Sequence, residues 1–349
     1  MGSVVYLDTA STTKVEKSVI DAMLPYFNDI YANPSSLHVF GEQSKKAVES
    51  SREHVSRTIN SDPKEIYFTS GATESINWAL KGYIANNPGH IITVRTEHKA
   101  VIKTCEYLEN YGVEITYLDV DQNGLICIDQ LLNEIKNDTC LIAIMHVNNE
   151  IGVIQDVNKI GSICKEKGIA FFCDASQAIG KVNVDVQRDN IDMLCISAHK
   201  FNGPKGVGVL YKRKNIELSP LLHGGGQEND LRAGTYNTPL IVGLGEACRI
   251  VNENFSSIVD NLLSKRSYWE EYFKNNDLGV VNFNSQNRAP HIISIKLNNL
   301  DAEEFMLKHQ KDFAISSGSA CNSSLIEVSH VIKNIFPEEV QNRIVRVSV

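Results

Sequence analysis

The sequence predicts an α/β fold, with a large domain built on a mostly parallel sheet covered by helices and a smaller α+β domain towards the C-terminus. Short apolar runs alternate with amphipathic stretches between about residues 60 and 215, and this pattern changes after about residue 245. A chain of 349 residues with 42% hydrophobic content can form about two domains. We therefore predict a large domain over residues 15–245 and a small domain made of residues 1–14 and 246–349.

Seven apolar runs in the first region have the length and composition of buried strands. Strands of a parallel sheet are buried on both faces, so they are apolar along their whole length. The runs cover residues 65–68, 90–94, 113–118, 140–147, 169–173, 193–196 and 207–211. Apolar residues at helical spacing predict an amphipathic helix over residues 72–84, between the first two runs.

The region after residue 245 has a different pattern. It begins with a long polar helix pattern and continues with a predicted strand over residues 291–297. Asp301 followed by Glu304 then forms a capping-box pattern that predicts the start of another helix. The short apolar run over residues 4–7 could belong to either domain.

The overall composition argues against several functional classes. Lys and Arg total 34 against 42 for Asp and Glu, and a net charge of -8 does not indicate direct binding of nucleic acid. No stretch reaches membrane-spanning length, and the first residues lack a signal-peptide pattern. Eight cysteines without a Cys-x-x-Cys pair do not indicate a disulfide framework or a metal site. We therefore expect a cytoplasmic protein with no bound metal and no membrane contact.

Cys321 differs from the other cysteines in its surroundings. Residues 316–324 read Ser-Ser-Gly-Ser-Ala-Cys-Asn-Ser-Ser, and such small polar residues predict an exposed thiol on a loop that can move. By itself this loop fits an incidental surface cysteine equally well. The remaining cysteines lie within or beside apolar runs and are predicted to be packing residues. They are Cys105, Cys127, Cys140, Cys164, Cys173, Cys195 and Cys248.

Polar residues directly follow the apolar runs, at the edge of a doubly wound sheet where ligands bind. The segment Thr-Ser-Gly-Ala-Thr-Glu at 69–74 opens a helix and predicts a phosphate cradle of amides and hydroxyls. Asp174 follows the fifth run, and Lys200 follows the sixth. Taken one at a time, these residues fit a helix cap, a turn or a surface lysine. Together they meet the needs of pyridoxal phosphate, because a lysine can form a Schiff base and an acid can keep the pyridine nitrogen protonated.

Other cofactor motifs are incomplete in this sequence. No Gly-x-Gly-x-x-Gly opens a helix after a strand, so the dinucleotide fingerprint is missing. Gly180 and Lys181 occur together as in a P-loop, but the first glycine is absent and Val182 takes the place of the hydroxyl residue. Neither a dinucleotide nor a nucleoside triphosphate is therefore expected.

Eight segments, in order and over almost the whole chain, resemble the cysteine desulfurases of the NifS/IscS group, which are class V aminotransferases. They are Thr-Ser-Gly-Ala-Thr-Glu-Ser (69–75), Thr-Glu-His-Lys-Ala-Val (96–101), Met-His-Val-Asn-Asn-Glu-Ile-Gly (145–152), Asp-Ala-Ser-Gln (174–177), Ser-Ala-His-Lys (197–200), His-Gly-Gly-Gly-Gln-Glu (223–228), Arg-Ala-Gly-Thr (232–235) and Ser-Ser-Gly-Ser-Ala-Cys (316–321). The resemblance implies the pyridoxal-phosphate type I fold, the cofactor pyridoxal 5'-phosphate and a homodimer.

The resemblance also implies a role for individual residues. Lys200 would hold the cofactor, Asp174 would pair with the pyridine nitrogen, and His98 would stack on the ring and take part in proton transfer. The other implied cofactor residues are Ala72, Thr73, Ser197 and His199 at the phosphate, Thr235 from the partner subunit, and Asn149 and Gln177 near the phenolic oxygen. Arg346 would bind the substrate carboxylate, a task suited to a guanidinium, with help from Asn33.

The resulting hypothesis is that the protein converts L-cysteine to L-alanine and holds the sulfur on Cys321 as a persulfide for an acceptor protein. Lys200 would take the alpha proton, and the Cys321 thiolate would attack the substrate sulfur. Iron–sulfur cluster assembly, tRNA thiolation and DNA phosphorothioation are the routes that such enzymes supply. Two alternatives stay open: another class V aminotransferase or lyase reaction on a different amino acid, and a sulfur-relay subunit without turnover.

Overall fold

The computed structural model describes residues 4–283, 287–317 and 328–349. The strands in these residues are β1 (Val5–Tyr6), β2 (Ile66–Thr69), β3 (His90–Val94), β4 (Ile115–Leu118), β5 (Thr139–Ala143), β6 (Ala170–Asp174), β7 (Met193–Ser197), β8 (Gly208–Lys212), β9 (Gly279–Val281), β10 (Ile292–Leu297), β11 (Phe313–Ala314) and β12 (Ile344–Ser348). The helices are α1 (Lys17–Met23), α2 (Pro25–Asn28), α3 (Val39–Ile59), α4 (Ala72–Asn86), α5 (Lys99–Glu109), α6 (Ile128–Glu134), α7 (Val157–Lys167), α8 (Thr238–Asn275), α9 (Ala302–His309), α10 (His330–Ile335) and α11 (Glu338–Gln341), with 3₁₀ turns at Pro63–Glu65 and Ala198–Lys200.

A seven-stranded sheet in the order β2-β8-β7-β6-β5-β3-β4 contains all seven of the predicted apolar runs. Neighbouring strands are parallel except around β8, which is antiparallel to both β2 and β7. The prediction of a mostly parallel α/β sheet is therefore confirmed. Strand β5 ends before its apolar run does, but the amides of Ile144 and His146 still bond to Phe172 and Asp174 of β6. This continuation leads the chain to the carboxyl edge of the sheet.

Helices cover both faces of this sheet, and each face has its own apolar core. Helices α4 and α5 pack on one face, where Trp78 and Val101 are fully buried. Helices α3, α7 and α8 pack on the other, through residues such as Val55, Ile160 and Leu244. In the described part of the chain no helix is long and apolar enough to cross a membrane.

Two smaller sheets are formed by the C-terminal part of the chain together with β1. Strands β9, β10 and β12 form an antiparallel sheet, while β1 pairs in parallel with β11. The side chain of Asp301 caps α9 by accepting a 2.9 Å hydrogen bond from the Glu304 amide. Helix α8 runs across residue 245, with non-helical backbone angles at Asn254. The division of the chain at residue 245 thus stays a prediction.

The segment of residues 8–13, which follows β1, links the small sheets to the large one. The Ala10 amide donates to the Ser348 hydroxyl at 2.9 Å, and the Thr13 amide donates to the His199 carbonyl at 2.9 Å. One end of the segment is thereby tied to β12 and the other to the turn after β7. This placement brings an N-terminal segment to the carboxyl edge of the large sheet.

A buried ion pair ties the loop before α8 to α3. Arg52 donates to both carboxylate oxygens of Glu228, at 2.9 and 3.2 Å, and the two side chains are only 9% and 3% exposed. Burial raises the pKa of Glu228, and the charge of Arg52 opposes this rise. Glu228, Asn229 and Asp230 all have positive φ angles, so the pair holds a strained stretch of backbone in place.

Replacing Arg52 with methionine should lower the free energy of unfolding by about 3–5 kcal/mol, because it leaves Glu228 buried without its partner. Urea unfolding at fixed protein concentration and pH 7.5 measures this change. Arg57→Met on the same helix is the matched control: its pair with Glu53 is 65% and 55% exposed, so a change below about 1 kcal/mol is expected. Equal losses in the two variants would contradict the structural role given to Arg52.

Candidate active site

A cavity of about 570 Å³ opens at the carboxyl ends of β2, β3, β5, β6 and β7, where sequence analysis placed the ligand. Ten of the predicted site residues line it together: Ala72, Thr73, His98, Asn149, Asp174, Gln177, Ser197, His199, Lys200 and Arg346. These residues come from positions as far apart as 72 and 346. The strands of the large sheet bring most of them together because their carboxyl ends share one edge of the sheet, whereas Arg346 reaches the cavity from β12.

Two predicted site residues lie in other cavities, and a third falls outside the described residues. Thr235 lines an adjoining cavity of about 240 Å³, which shares Ser70 and Gly206 with the first. Asn33 lines a different cavity of about 370 Å³, and its Oδ1 accepts the Ser35 amide at 2.9 Å. Cys321 lies outside the described residues.

The N-terminus of α4 forms one end of the cavity and fits a phosphate group. The N-cap residue is Gly71, which has no side chain to cap the helix, so the first amides of the helix remain available to an anion. Glu74 in the first turn would repel an anion, but Arg232 binds its carboxylate at 2.8 and 3.1 Å. Burial raises the pKa of Glu74, yet the bonds from Arg232 and Ser70 outweigh it, and the pKa is lowered overall.

Gly208 allows the phosphate cradle to lie directly against β8. A Cβ atom at Gly208 would stand 2.6 Å from the Cα of Gly71 and 2.5 Å from the carbonyl oxygen of Ile196. Real Cβ contacts are not this close, so any larger residue would push the cradle away from the strand. The sequence Gly-Val-Gly at 206–208 therefore serves the site through its lack of side-chain volume.

Lys200 is held at both its side chain and its backbone. Its Nζ donates to the carbonyl oxygens of Ala10 at 2.7 Å and Ser11 at 2.8 Å. Its own carbonyl oxygen accepts a 2.6 Å hydrogen bond from Nζ of Lys181. Burial, with a further contribution from the charge of Lys200, lowers the pKa of Lys181 to about 7. The amine of Lys200 is thus directed to a fixed point at the wall of the cavity.

Asp174 and His98 provide the acid and the imidazole that sequence analysis placed near Lys200. Asp174 ends β6 with 6% of its surface exposed, and its Oδ1 accepts bonds from the Ser176 amide at 2.9 Å and the Cys195 thiol at 3.2 Å. His98 caps α5, and its Nδ1 accepts the Ala100 amide at 3.1 Å. The pKa of His98 is lowered overall. Burial lowers it most, the charge of Asp174 opposes this effect, and the charge of Lys200 adds to it. A neutral His98 therefore carries its proton on Nε2.

His199 and Gln177 contact the N-terminal segment. Nδ1 of His199 lies 3.1 Å from the Thr12 hydroxyl, and burial followed by the charges of nearby lysines lowers the pKa of His199 to about 4. His199 is therefore neutral at pH 7. Gln177 donates to the Ala10 carbonyl oxygen at 2.8 Å, and its Oε1 lies 3.0 Å from Nε2 of His291. Both ends of the Gln177 amide are thereby oriented.

Arg346 places a guanidinium in the wall of the cavity. It lies on β12, and its side chain is 4% exposed. Nη1 donates to the carbonyl oxygen of Asn149 at 2.8 Å, while Nη2 donates to Asp8 at 2.6 Å and to the Ser11 hydroxyl at 2.7 Å. Its buried Nε has no hydrogen-bond partner among the described residues. An unfilled donor in a cationic side chain is suited to an anionic substrate group.

Sequence analysis missed the N-terminal segment as part of the site. Ala10, Ser11 and Thr12 line the cavity and contact several of the predicted residues. The available signal was the small polar stretch Thr-Ala-Ser-Thr-Thr at 9–13, which follows the apolar run at 4–7 just as the other site segments follow their strands. Among the titratable lining residues, Lys99, Glu150, Lys205 and His330 were also given no role.

The described cysteines are free thiols, and most of them are packing residues as predicted. Cys105, Cys164, Cys173, Cys195 and Cys248 are buried, and Cys140 is partly buried. Burial raises the pKa of the Cys105 and Cys248 thiols to about 12, which makes them poor nucleophiles at neutral pH. The prediction is wrong for Cys127, which is exposed. It precedes the first residue of α6, where the chain leaves its apolar run and the side chain stays outside the core.

Comparison with known proteins places these residues in a family. The family model described as aminotransferase class V matches residues 5–349. Cysteine desulfurase IscS of Neisseria gonorrhoeae is 46% identical over 335 residues, covering 94% of this chain and 83% of that protein. The solved structure of a NifS-like protein superposes with a TM-score of 0.92 at 34% identity, covering 99% of this chain and 93% of the other. A structure of SspA in complex with cysteine gives 0.89 at 39% identity, covering 99% of both chains.

Proposed function

The chain belongs to the cysteine desulfurases of the class V aminotransferase family, which depend on pyridoxal 5'-phosphate, and we propose that it moves the sulfur of L-cysteine onto Cys321. The observation that carries this proposal is the single cavity in which Lys200, Asp174 and Arg346 meet the uncapped N-terminus of α4. An amine, an acid, a guanidinium and a phosphate cradle are the groups that this cofactor and an amino-acid substrate require.

The cofactor residues follow from the chemistry of the cavity wall. We assign the phosphate to Ala72, Thr73, Ser197 and His199, the pyridine nitrogen to Asp174, and the covalent bond to Lys200. His98 is assigned to the face of the ring, and Asn149 and Gln177 to its phenolic oxygen. When bound, pyridoxal phosphate supplies the electron sink that lets the Cα–H bond of the substrate break.

The protein's own groups bind the substrate and move its protons. Arg346 holds the substrate carboxylate, and we assign Asn33 to assist it. Lys200, once its amine is free, takes the proton from Cα. His98 returns a proton on the product side, because a neutral imidazole with Nε2–H can donate one and recover it from solvent.

The sulfur step is assigned to Cys321. Its thiolate attacks the substrate sulfur, the new S–S bond forms as the Cβ–S bond breaks, and the electron pair of that bond goes to carbon, which is then protonated. In balance, L-cysteine and the Cys321 thiol become L-alanine and the Cys321 persulfide. No outside oxidant or reductant is needed.

We propose that the enzyme is a homodimer. Supporting this, several apolar side chains between α1 and the start of α3 are exposed, which is costly for a surface that faces only water. They are Ile20, Leu24, Phe27, Tyr31, Leu37, Val39 and Phe40. In the same arrangement Thr235 would complete the phosphate site of the partner subunit from its adjoining cavity. Sedimentation velocity should show a dimer, and a monomer at micromolar concentration would contradict this proposal.

We further propose that Cys321 delivers sulfur to a protein acceptor in the cytoplasm, for iron–sulfur cluster assembly, tRNA thiolation or DNA phosphorothioation. The free state of the seven described cysteines supports a reducing compartment. Incubation with radiolabelled L-cysteine and cell extract should transfer label to a discrete protein. Label that stays on the enzyme alone would count against a protein acceptor.

The activity itself is tested with the purified protein. It should be yellow, and with L-cysteine and a free thiol as acceptor it should release alanine and sulfide in equal amounts. A protein that takes up no pyridoxal phosphate would contradict the proposal. Release of pyruvate, or transfer of the amino group to a keto acid, would instead favour another class V reaction.

A further inference from the structure

We propose that Asp8 is a positioning residue for the substrate carboxylate: it fixes the Arg346 guanidinium from outside the cavity, and the carboxylate replaces Ser11 on the cavity side. This inference rests on the role of Arg346 in the proposed function. It concerns which side chain orients Arg346 before the substrate binds and which side chain the substrate displaces.

The two partners of Arg346 Nη2 differ in whether they line the cavity. Asp8 accepts its hydrogen bond at 2.6 Å and Ser11 at 2.7 Å. Ser11 and Arg346 line the cavity, whereas Asp8 is not among the lining residues. Asp8 can therefore keep its bond when the cavity fills, while the Ser11 hydroxyl stands where a ligand would come.

The planar shape of the guanidinium determines that a bound carboxylate must displace one of the present partners of Nη2. A carboxylate binds it through two parallel N–H bonds, using either Nε with Nη2 or Nη1 with Nη2. Both pairs include Nη2, and its two hydrogens are already directed to Asp8 and Ser11. A bidentate carboxylate must therefore take the place of one of them. Nε, buried without a partner among the described residues, supplies the second bond of the side-on pair.

Asp8 and Arg346 are held rigidly enough for this role. The backbone of Arg346 exchanges two hydrogen bonds with Ser316, at 2.7 and 3.2 Å, and lies within β12. Asp8 forms a bridge with Ser348 on the same strand. A short ion pair between two fixed positions orients the guanidinium before the substrate arrives, so less freedom is lost on binding.

Ser11 joins the carboxylate site to the cofactor lysine. Its hydroxyl accepts from Arg346 while its carbonyl oxygen accepts from Lys200 Nζ at 2.8 Å. Residues 8–11 therefore set the spacing between the group that binds the carboxylate and the group that reacts near Cα. An amino acid whose carboxylate and amine match this spacing is held at both ends.

The test compares Asp8→Asn with the parent protein in a Cys321→Ala background, so that binding is measured without sulfur transfer. Absorbance of the bound cofactor reports titrations with L-cysteine and with cysteamine, which lacks the carboxylate. Asp8→Asn should weaken L-cysteine binding by about tenfold to a hundredfold, the range for a lost charge-assisted hydrogen bond, and cysteamine binding by less than about twofold. Asp8→Glu should recover part of the loss.

Asp21→Asn is the matched control, because Asp21 pairs with Lys17 on the exposed surface of α1 and should change neither ligand. Equal weakening of both ligands by Asp8→Asn would show a general structural role and overturn the inference, as would unchanged or tighter L-cysteine binding. If Asp8→Asn does not take up cofactor, the test is made with Asp8→Glu instead. The loss of affinity for L-cysteine is then compared with the loss for cysteamine in that variant. A parent protein that responds to neither ligand would instead contradict the proposed function.

Discussion

Lys200→Ala should lose the covalent link to the cofactor and at least about a thousandfold of alanine formation from L-cysteine. In our account Lys200 both holds the cofactor and removes the Cα proton, and its amine is fixed by the carbonyl oxygens of Ala10 and Ser11. No other described lysine has this arrangement, since Lys181 is directed to the backbone carbonyl of Lys200 instead. Borohydride reduction and peptide mass analysis locate the link, and an alanine assay measures the rate.

Lys167→Ala provides the control for this experiment. Lys167 ends α7, ahead of β6, and so lies at the edge of the sheet opposite the cavity. It should keep both the covalent link and the wild-type rate. A reduced link found on a lysine other than Lys200, or sustained turnover by Lys200→Ala, would show that the catalytic amine has been assigned wrongly.

Cys321→Ala should keep the yellow colour and L-cysteine binding but lose persulfide formation by at least about a hundredfold. We assign cofactor and substrate to residues other than this thiol, and none of the described cysteines lines the cavity. Burial raises the pKa of the Cys105 and Cys248 thiols to about 12, and it also raises the pKa of the Cys173 and Cys195 thiols well above the usual value. A thiol that stays protonated is a poor nucleophile.

Cys127→Ala is the matched control, because Cys127 is the exposed thiol among the cysteines that the structure describes. It does not line the cavity and should leave persulfide formation unchanged. Persulfide that persists in Cys321→Ala and disappears in Cys127→Ala would move the nucleophile to Cys127.

The large sheet could be predicted from the sequence because its strands are buried on both faces. The runs 90–94 and 193–196 are mostly apolar and fully buried, and both became strands within one residue of their predicted ends. The direction of β8 could not be predicted, since an apolar run has no feature that distinguishes parallel from antiparallel pairing. The site residues at the carboxyl ends were predictable because their position depends only on where each strand stops.

The contacts of the N-terminal segment could not be predicted, because its partners are far away in sequence. Asp8 and Ser11 meet Arg346 more than 330 positions along the chain, and no local pattern signals such a pairing. The prediction that Cys127 is buried was wrong because it depended only on local sequence. Its neighbours are apolar, but the side chain of a residue just before a helix can point to solvent. Thr235 depends on a partner subunit in our proposal, which one chain cannot contain. Asn33 lines a different cavity from Arg346, and no local pattern in the sequence signals this separation.

One single-turnover measurement tests the central claim, that Cys321 accepts the sulfur of L-cysteine. The enzyme, without a thiol acceptor, is mixed with sulfur-labelled L-cysteine, and alanine and the labelled peptide are quantified together. We expect one alanine per subunit and one extra sulfur atom on the peptide that contains Cys321. Alanine formed with the label on the Cys127 peptide, or label bound without any alanine, would contradict it.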